Sequence, residues 1–569
     1  MSESKNKIKA ALFLIVPVFL IVVIAIIAKQ LMPSKERIEL TDYYPVEGDE
    51  LLLVMQDEVA ETKGLYTDGI AYVDYDTVVS NFNKRFYWDA NENIVIYTTA
   101  SQVIKAEVGA KDYFVNKSKT EVDYQIVKVV NDVAYIAVDY IELFSNVKYT
   151  LYKNPNRIVF TYKWDGDYTA FKVKKDAVLR ENPDIKSPIV YDVKKGDQLV
   201  YIKETDEESL KKFQKVITED GVIGFIQKNR LKDSYDLALK SDFKEETYSS
   251  ITKDYKINMV WHQVTNQDAN NSLLNLLDAT KGVTTISPTW FSLANNKGEI
   301  KSLASETYVN RAHSAGVEVW ALCDDFDTEN VNTFKLLSYT SRREKLENEL
   351  IASAIKYNLD GINIDFEKIS SETATHFIQF IRELSVKCRS NGIVLSVDNY
   401  APGFTGYYDR QEQGIVADYV ITMAYDEHTG GSKESGSVSS IQYFTDAIAN
   451  TIKEVPAEKT IIGIPFYTRL WKEVTEGEQV NVSSEAYGMV NAANLLTDNG
   501  VKTYWDETSG QNYGEFEADG AMYRMWLEDA QSIELKMKAV DEADVAGVAG
   551  WKLGLESSNV WDVIIKYVN

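Results

Sequence analysis

From residue 250 to the C-terminus the chain alternates short apolar runs with longer amphipathic ones. The runs INMVWHQV, TTISPTWF, GVEVWALCDDF, DGINIDFE, GIVLSVDNY, DYVITMAYDEH, TIIGIPFY and VAGVAGWKLG have the length and the β-branched or aromatic content of buried strands. Between most of them lie segments such as SRREKLENELIASAIKYN and ETATHFIQFIRELSVKCRSN, with apolar residues at helical spacing. Strands buried on both faces need helices over one side and a filled interior on the other, and eight such units meet that need as a (β/α)8 barrel. The expected fold class is α/β, a TIM barrel over residues 250–569. The stretch 472–525 is too long for a loop and holds strand-like runs, so it reads as a small α+β insertion.

The residues before the barrel read as four parts and a short tail. Residues 1–9 carry Lys5, Lys7 and Lys9, and an uninterrupted apolar run follows from Ala10 to Ala28. That run is close to the ~20 residues a helix needs to cross the hydrocarbon layer. Residues 10–31 are therefore expected to be a single membrane-spanning signal anchor, with the N-terminus cytoplasmic and the rest exported. A cleaved signal peptide fits less well, because the run is long and no small-x-small site follows it. Residues 32–49 read as a linker.

Residues 50–166 are β-rich, with GIAYVDYDTV echoed by VAYIAVDYI and NIVIYT by RIVFTY. The rhythm resembles the stalk-like domain found at the N-terminus of copper amine oxidases, with no metal role implied. Residues 167–236 hold short strands split by Asn-Pro, Lys-Gly-Asp and Asp-Gly turns. The V-x-K-G-D turn and GVIGFI resemble a bacterial Src-homology-3-like domain, for which wall-peptide binding and a passive spacer are both open.

The formal charge of -25 leaves no basic stripe to release counterions, which argues against nucleic acid as a partner. Two cysteines, Cys323 and Cys388, give no disulfide framework, and four scattered histidines give no metal cluster or Ser-His pair. No cofactor and no metal are expected, and acid-base chemistry falls to carboxylates.

One run supplies them. In DGINIDFE, strand alternation sends Ile362, Ile364 and Phe366 to the helix layer and Asn363, Asp365 and Glu367 into the barrel, toward the C-terminal end where barrel sites form. Asp360 opens the strand beside Gly361. Burying three inward polar groups costs several kcal/mol unless every one is hydrogen-bonded, so the column reads as a site.

DGINIDFE resembles the D-x-x-D-x-D-x-E signature of glycoside hydrolase family 18, the chitinase family. Met423, Tyr425 and Asp426 match its M-x-Y-D, GIPFYTRLW fits the seventh strand, and Trp551 fits the tryptophan under the sugar at the eighth. The resemblance implies that Glu367 is general acid and then base. It implies that Asp365 and Tyr425 hold the substrate's own 2-acetamido group as nucleophile, with retention, and that Trp551 stacks beneath the ring. Asp360, Asn363, Met423 and Asp426 would support them. Tyr467 and Trp290, with Trp261 and Trp320, are aromatic candidates for the sugar groove, and His428 lies nearby in sequence.

At Asn363 the sequence departs from the signature, which has an acid there. The amide is expected to donate to Asp365 and, by removing a like charge, to leave Asp365 readily ionised. D-G-x-N-x-D-x-E and WLEDAQSIELK resemble the bacterial spore-cortex and wall-lytic N-acetylglucosaminidases. The implied partner is an N-acetylglucosamine-containing polysaccharide, peptidoglycan first. A chitinase or other endoglycosidase, and a non-catalytic glycan-binding barrel, are the alternatives.

Overall fold

The eight runs form one closed sheet. A computed structural model describes residues 2–204, 210, 212–403 and 405–568, and side chains from residue 16 onward except residue 28. Strands β1 (Ile257–His262), β2 (Thr285–Leu293), β3 (Glu318–Asp324), β4 (Gly361–Asp365), β5 (Val394–Tyr400), β6 (Tyr419–Met423), β7 (Thr460–Pro465) and β8 (Gly547–Trp551) pair in chain order. All eight pairings are parallel, and β1 closes the ring by pairing with both β2 and β8.

Alternation along each strand separates two cores. Ile362, Ile364 and Phe366 of the β4 run pack outward, where Phe366 stacks on Phe380 at 5.7 Å. Phe380 belongs to helix α3 (Ala374–Ser390), which buries Phe377, Ile381 and Leu384 on the same face and follows helices α1 (Glu306–Ser314) and α2 (Thr340–Tyr357). Inside the barrel, Met259, Trp261, Trp320, Tyr419 and Ile421 form a separate cluster. Trp320 and Tyr419 stack at 5.4 Å in its lower part. Trp320 explains Gly361: a Cβ there would stand 2.6 Å from the indole ring.

Between β7 and β8 the insertion is wider than 472–525. Its five-stranded antiparallel sheet runs from Tyr467–Glu476 to Ala521–Leu527, with helix Met489–Asp498 packed against it. The seventh strand proper ends at Pro465, so Tyr467 belongs to the insertion.

The chain clusters into two compact units. The barrel unit includes residues 89–105, which the sequence pattern assigns to the β-rich region. Asp89 accepts from the backbone N–H and hydroxyl of Thr340, so its carboxylate sits on the N-terminus of α2 where it complements the helix dipole. Gln379 and Arg389 of α3 donate to Thr98 and to the carbonyl of Ala100.

The other unit holds two seven-stranded sheets, one of them all antiparallel and built from residues 168–237. The two echoed runs have the same local form, Ile70–Asp74 and Val133–Ala137 each leading into a short helix. Residues 2–31 are helical. The expected span at 10–31, with Lys5, Lys7 and Lys9 before it, lies partly outside the described side chains. Among the described residues no helix is long and apolar enough to cross a membrane, although Val16, Phe19, Ile21 and Ile24 are all more than half exposed.

Candidate active site

The carboxyl ends of five barrel strands enclose a cavity of about 170 Å³. Trp261 enters from β1, Asp365 and Glu367 from β4, and Asp398 and Tyr400 from β5. Met423, Tyr425 and Asp426 enter from β6, and Trp551 from β8. Phe326, beyond β3, forms an exposed lip. The column foreseen in DGINIDFE therefore meets the M-x-Y-D run and the β8 tryptophan at one point, because parallel strands put residues of equal phase at equal height.

Glu367 is half-buried just past β4. Its backbone N–H donates to Asp325 Oδ1 at 2.8 Å, which fixes the turn, and Tyr400 donates its hydroxyl to Glu367 Oε2 at 2.6 Å. Burial raises the Glu367 carboxyl above its ordinary range, with Asp325 and Asp426 adding to the rise, while the Tyr400 bond and Lys368 oppose it. Asp324, at the end of β3, is pushed up to about 6, first by burial. An acid raised by burial can hold its proton near neutral pH.

Asn363 does not donate to Asp365. Its Nδ2 donates to Asp398 Oδ1 at 2.7 Å, and its Oδ1 accepts from Trp261 Nε1 at 3.0 Å and Ser287 Oγ at 3.1 Å. The position needs a group that both accepts and donates, which an amide does and a carboxylate does not. Nor is Asp365 relieved of like charge. Asp398 takes the place of the missing neighbour, and burial followed by the charges of Asp398 and Glu367 holds the Asp365 carboxyl well above the usual range. Asp398 is also raised, first by burial, with the Asn363 bond opposing.

Three expected site residues sit elsewhere. Asp360 is at the opposite end of β4 from Asp365, where it accepts from His313 Nε2 of α1 and from the Val319 N–H, both at 2.8 Å. It latches a helix and a strand at the barrel's far end. Trp290 is buried at 1% exposure, donates to Asn270 Oδ1 at 2.8 Å and packs edge-on to Tyr308. Because Ser287 faces inward on β2, alternation sends Ile286 and Trp290 out to the helix layer. Tyr467 stands behind the cavity, donating its hydroxyl to Asp426 Oδ1 and meeting Tyr425 edge-on at 6.3 Å. It orients the site without lining it.

Of the other candidates, only Trp261 reaches the cavity. Trp320 is fully buried below it, and His428 Nδ1 is bonded to the Ser437 carbonyl. Asp398, Tyr400 and Asp325 were missed. Ser396, Asp398 and Tyr400 alternate in VLSVDNY as inward residues do, and CDDF carries two acids at a strand end, so both signals were present.

A wider groove of about 490 Å³ lies in the other unit, between Tyr152, Tyr191 and Asp220. Asp220 is already held by Arg157, Tyr191 and Thr218. Among the described residues no group of three or more side chains is arranged to hold a metal, and Cys323 and Cys388 are buried and unbridged.

Replacing Tyr400 with Phe removes a donor that favours the charged form of Glu367. The alkaline limb of kcat/KM is expected to move to higher pH and kcat to fall about tenfold, the worth of one hydrogen bond to a charged group. A pH–rate profile checks this; a limb that stays put or moves down contradicts it.

The family model for glycosyl hydrolases family 18 matches residues 261–556. The uncharacterized glycosylase YvbX of Bacillus subtilis is 25% identical over 282 residues, which cover 47% of this chain and 80% of that protein. The cortical fragment-lytic enzyme of Bacillus cereus is 24% identical over 242 residues, 41% of this chain and 55% of that protein. The chain thus spans only about half the length of this second relative. The crystal structure of the Bacillus cereus spore cortex-lytic enzyme SleL superposes with a TM-score of 0.51 at 22% identity, over 58% of this chain and 80% of that one. With a family match over more than half of its length, and with the barrel and its acid column in place, the chain belongs to family 18 of the glycosyl hydrolases.

Proposed function

We infer that this protein cleaves β-1,4 bonds next to N-acetylglucosamine in peptidoglycan, by retaining, substrate-assisted hydrolysis. One observation carries the reading: Glu367, Asp365, Tyr425 and Trp551 converge on a single cavity, with the Glu367 carboxyl raised above its ordinary range and held by Tyr400. Glu367 protonates the leaving glycosidic oxygen. The sugar's acetamido oxygen attacks the anomeric carbon, while Asp365 accepts from the acetamide N–H and bears the facing charge. Tyr425 donates to the same group, and Trp551 lies under the ring as an apolar platform. Glu367, now ionised, takes a proton from the incoming water and the bond to the acetamido oxygen breaks.

Peptidoglycan is favoured by the relatives named for cortex lysis. Membrane attachment, N-terminus cytoplasmic and barrel outside, rests on the apolar run from Ala10 to Ala28 and on the exposed apolar side chains of its described part. Digestion of purified peptidoglycan and of a chitin oligomer, with mass spectrometry of the new reducing ends, tests the substrate. N-acetylglucosamine ends from peptidoglycan are expected. Cleavage of chitin alone would make the protein a chitinase, and binding to either glycan without products would make the barrel a lectin.

A further inference from the structure

Two buried oxygens in the cavity wall have no donor. Asp365 Oδ1 and Asp398 Oδ2 are each sealed from solvent without a hydrogen-bond partner among the described residues. The β4–β5 register pairs Asn363 with Ser396 and Ile364 with Val397, so Asp365 and Asp398 are the next step on adjacent strands. Both side chains face inward and line the same cavity. Two carboxylates placed so cannot both be ionised without strong repulsion, and the simplest satisfied arrangement is one proton shared between them.

The surroundings limit which oxygens can share that proton. Asn363 Nδ2 and Trp261 Nε1 are the neutral donors on the barrel side, and Asn363 fixes Asp398 Oδ1 as an acceptor. Oδ2 of Asp398 and Oδ1 of Asp365 are then the oxygens left to share it. The other titratable groups facing the pair are acidic or phenolic: Asp324 at the end of β3, Asp325 beyond it, Glu367 beyond β4, Tyr400 on β5, and Tyr425 and Asp426 beyond β6. Among the described residues no lysine or arginine bonds to either carboxylate, so a proton is the available counter-charge.

We propose that Asp398 is a positioning residue for Asp365: one proton is shared between Asp398 Oδ2 and Asp365 Oδ1, so that the pair holds a single negative charge beside the sugar. The pair carries a net charge of minus one before and after substrate binds. No proton leaves it when the acetamide N–H docks on Asp365. The sequence thus keeps two carboxylates at this level of the barrel, but draws the second from the neighbouring strand, and Asn363 is the amide that braces it. The kinetic part of this inference rests on the hydrolase reading above; the arrangement of the proton does not.

Infrared difference spectra of the full-length chain in detergent at neutral pH, in a Glu367→Gln background, test the proton directly. A protonated-carboxyl carbonyl band is expected that vanishes in Asp398→Asn and also in Asp365→Asn, because an amide at either position supplies the donor and lets the surviving acid ionise. A band lost in only one of the two variants, or in neither, overturns the proposal. With Glu367 intact, Asp398→Ala is expected to lower kcat on the order of 100-fold with KM changed less than about threefold, the pattern of a lost preorganised donor. Asp398→Asn, which keeps a donor, should recover at least about tenfold of that loss. Equal losses in both variants would reduce Asp398 to a packing role. If no glycan is cleaved at all, the hydrolase reading fails while the spectra still decide the shared proton. If the alanine variant does not fold, the two asparagine variants suffice.

Discussion

Glu367→Gln is expected to lower kcat on the order of 10³-fold while leaving glycan affinity within a few-fold, because it removes the one group placed to act as acid and then as base. The amide is nearly isosteric and still accepts the Tyr400 hydroxyl through its carbonyl oxygen, so the 2.6 Å bond and the turn at Asp325 are kept. What is lost is the transferable proton, worth about 4 kcal/mol of barrier at that fold-change. The loss should exceed that from Tyr400→Phe by about two orders of magnitude, since the tyrosine tunes the acid and does not replace it.

Steady-state rates on a chromogenic N-acetylglucosaminide oligomer, with calorimetric binding to the same glycan, measure both quantities. The residual activity should also lose its alkaline limb. A drop of less than about tenfold would mean another acid serves. Asp324, raised to about 6 and close enough to Glu367 to feel its charge, would be the next group to replace.

The barrel was legible because its eight strands are buried on both faces and so read as apolar runs with few competing patterns. The acid column was legible for a related reason: an inward polar residue every second position stands out in DGINIDFE against isoleucine and phenylalanine. What spacing along one strand does not reveal is the partner across the next strand. Asn363 was expected to serve Asp365, its neighbour in sequence, and instead serves Asp398, which the β4–β5 register brings alongside. Tyr400 reaches Glu367 in the same way, across 33 residues of sequence.

Asp360 and Trp290 failed on direction. A strand has two ends and two faces, and these residues lie at the wrong end and on the wrong face. Tyr467 failed because the seventh strand stops two residues before it, at Pro465, where the insertion begins.

Asn363→Asp tests the amide itself, and it restores the residue type that the family signature has at this position. The added carboxylate is expected to damage this barrel. It would still accept from Trp261 and Ser287, but once ionised it has no hydrogen to give Asp398 Oδ1, which would lose the amide donor it now has at 2.7 Å. A third acid would then stand, fully buried, beside two that each already have one oxygen without a donor. The cost is roughly 1–3 kcal/mol for a buried acceptor left unpaired, larger when the new group is charged.

The pH dependence gives the sign. In the unfolded chain an aspartate ionises near 3.9, whereas burial and like-charged neighbours raise it in the folded state. The folded variant then binds more protons than the unfolded one wherever pH lies between those two values, so stability falls as pH rises. The loss relative to the parent should be small near pH 4, below which the new acid is protonated in both states. It should be greatest above the folded pKa of that acid. Thermal melts of parent and variant between about pH 4 and pH 8 should diverge steadily with pH, and kcat should fall more at the alkaline end of that range than at the acidic end. Curves that stay parallel, or converge as pH rises, would show that the introduced carboxylate ionises without hindrance and that the amide of Asn363 is not needed to brace Asp398.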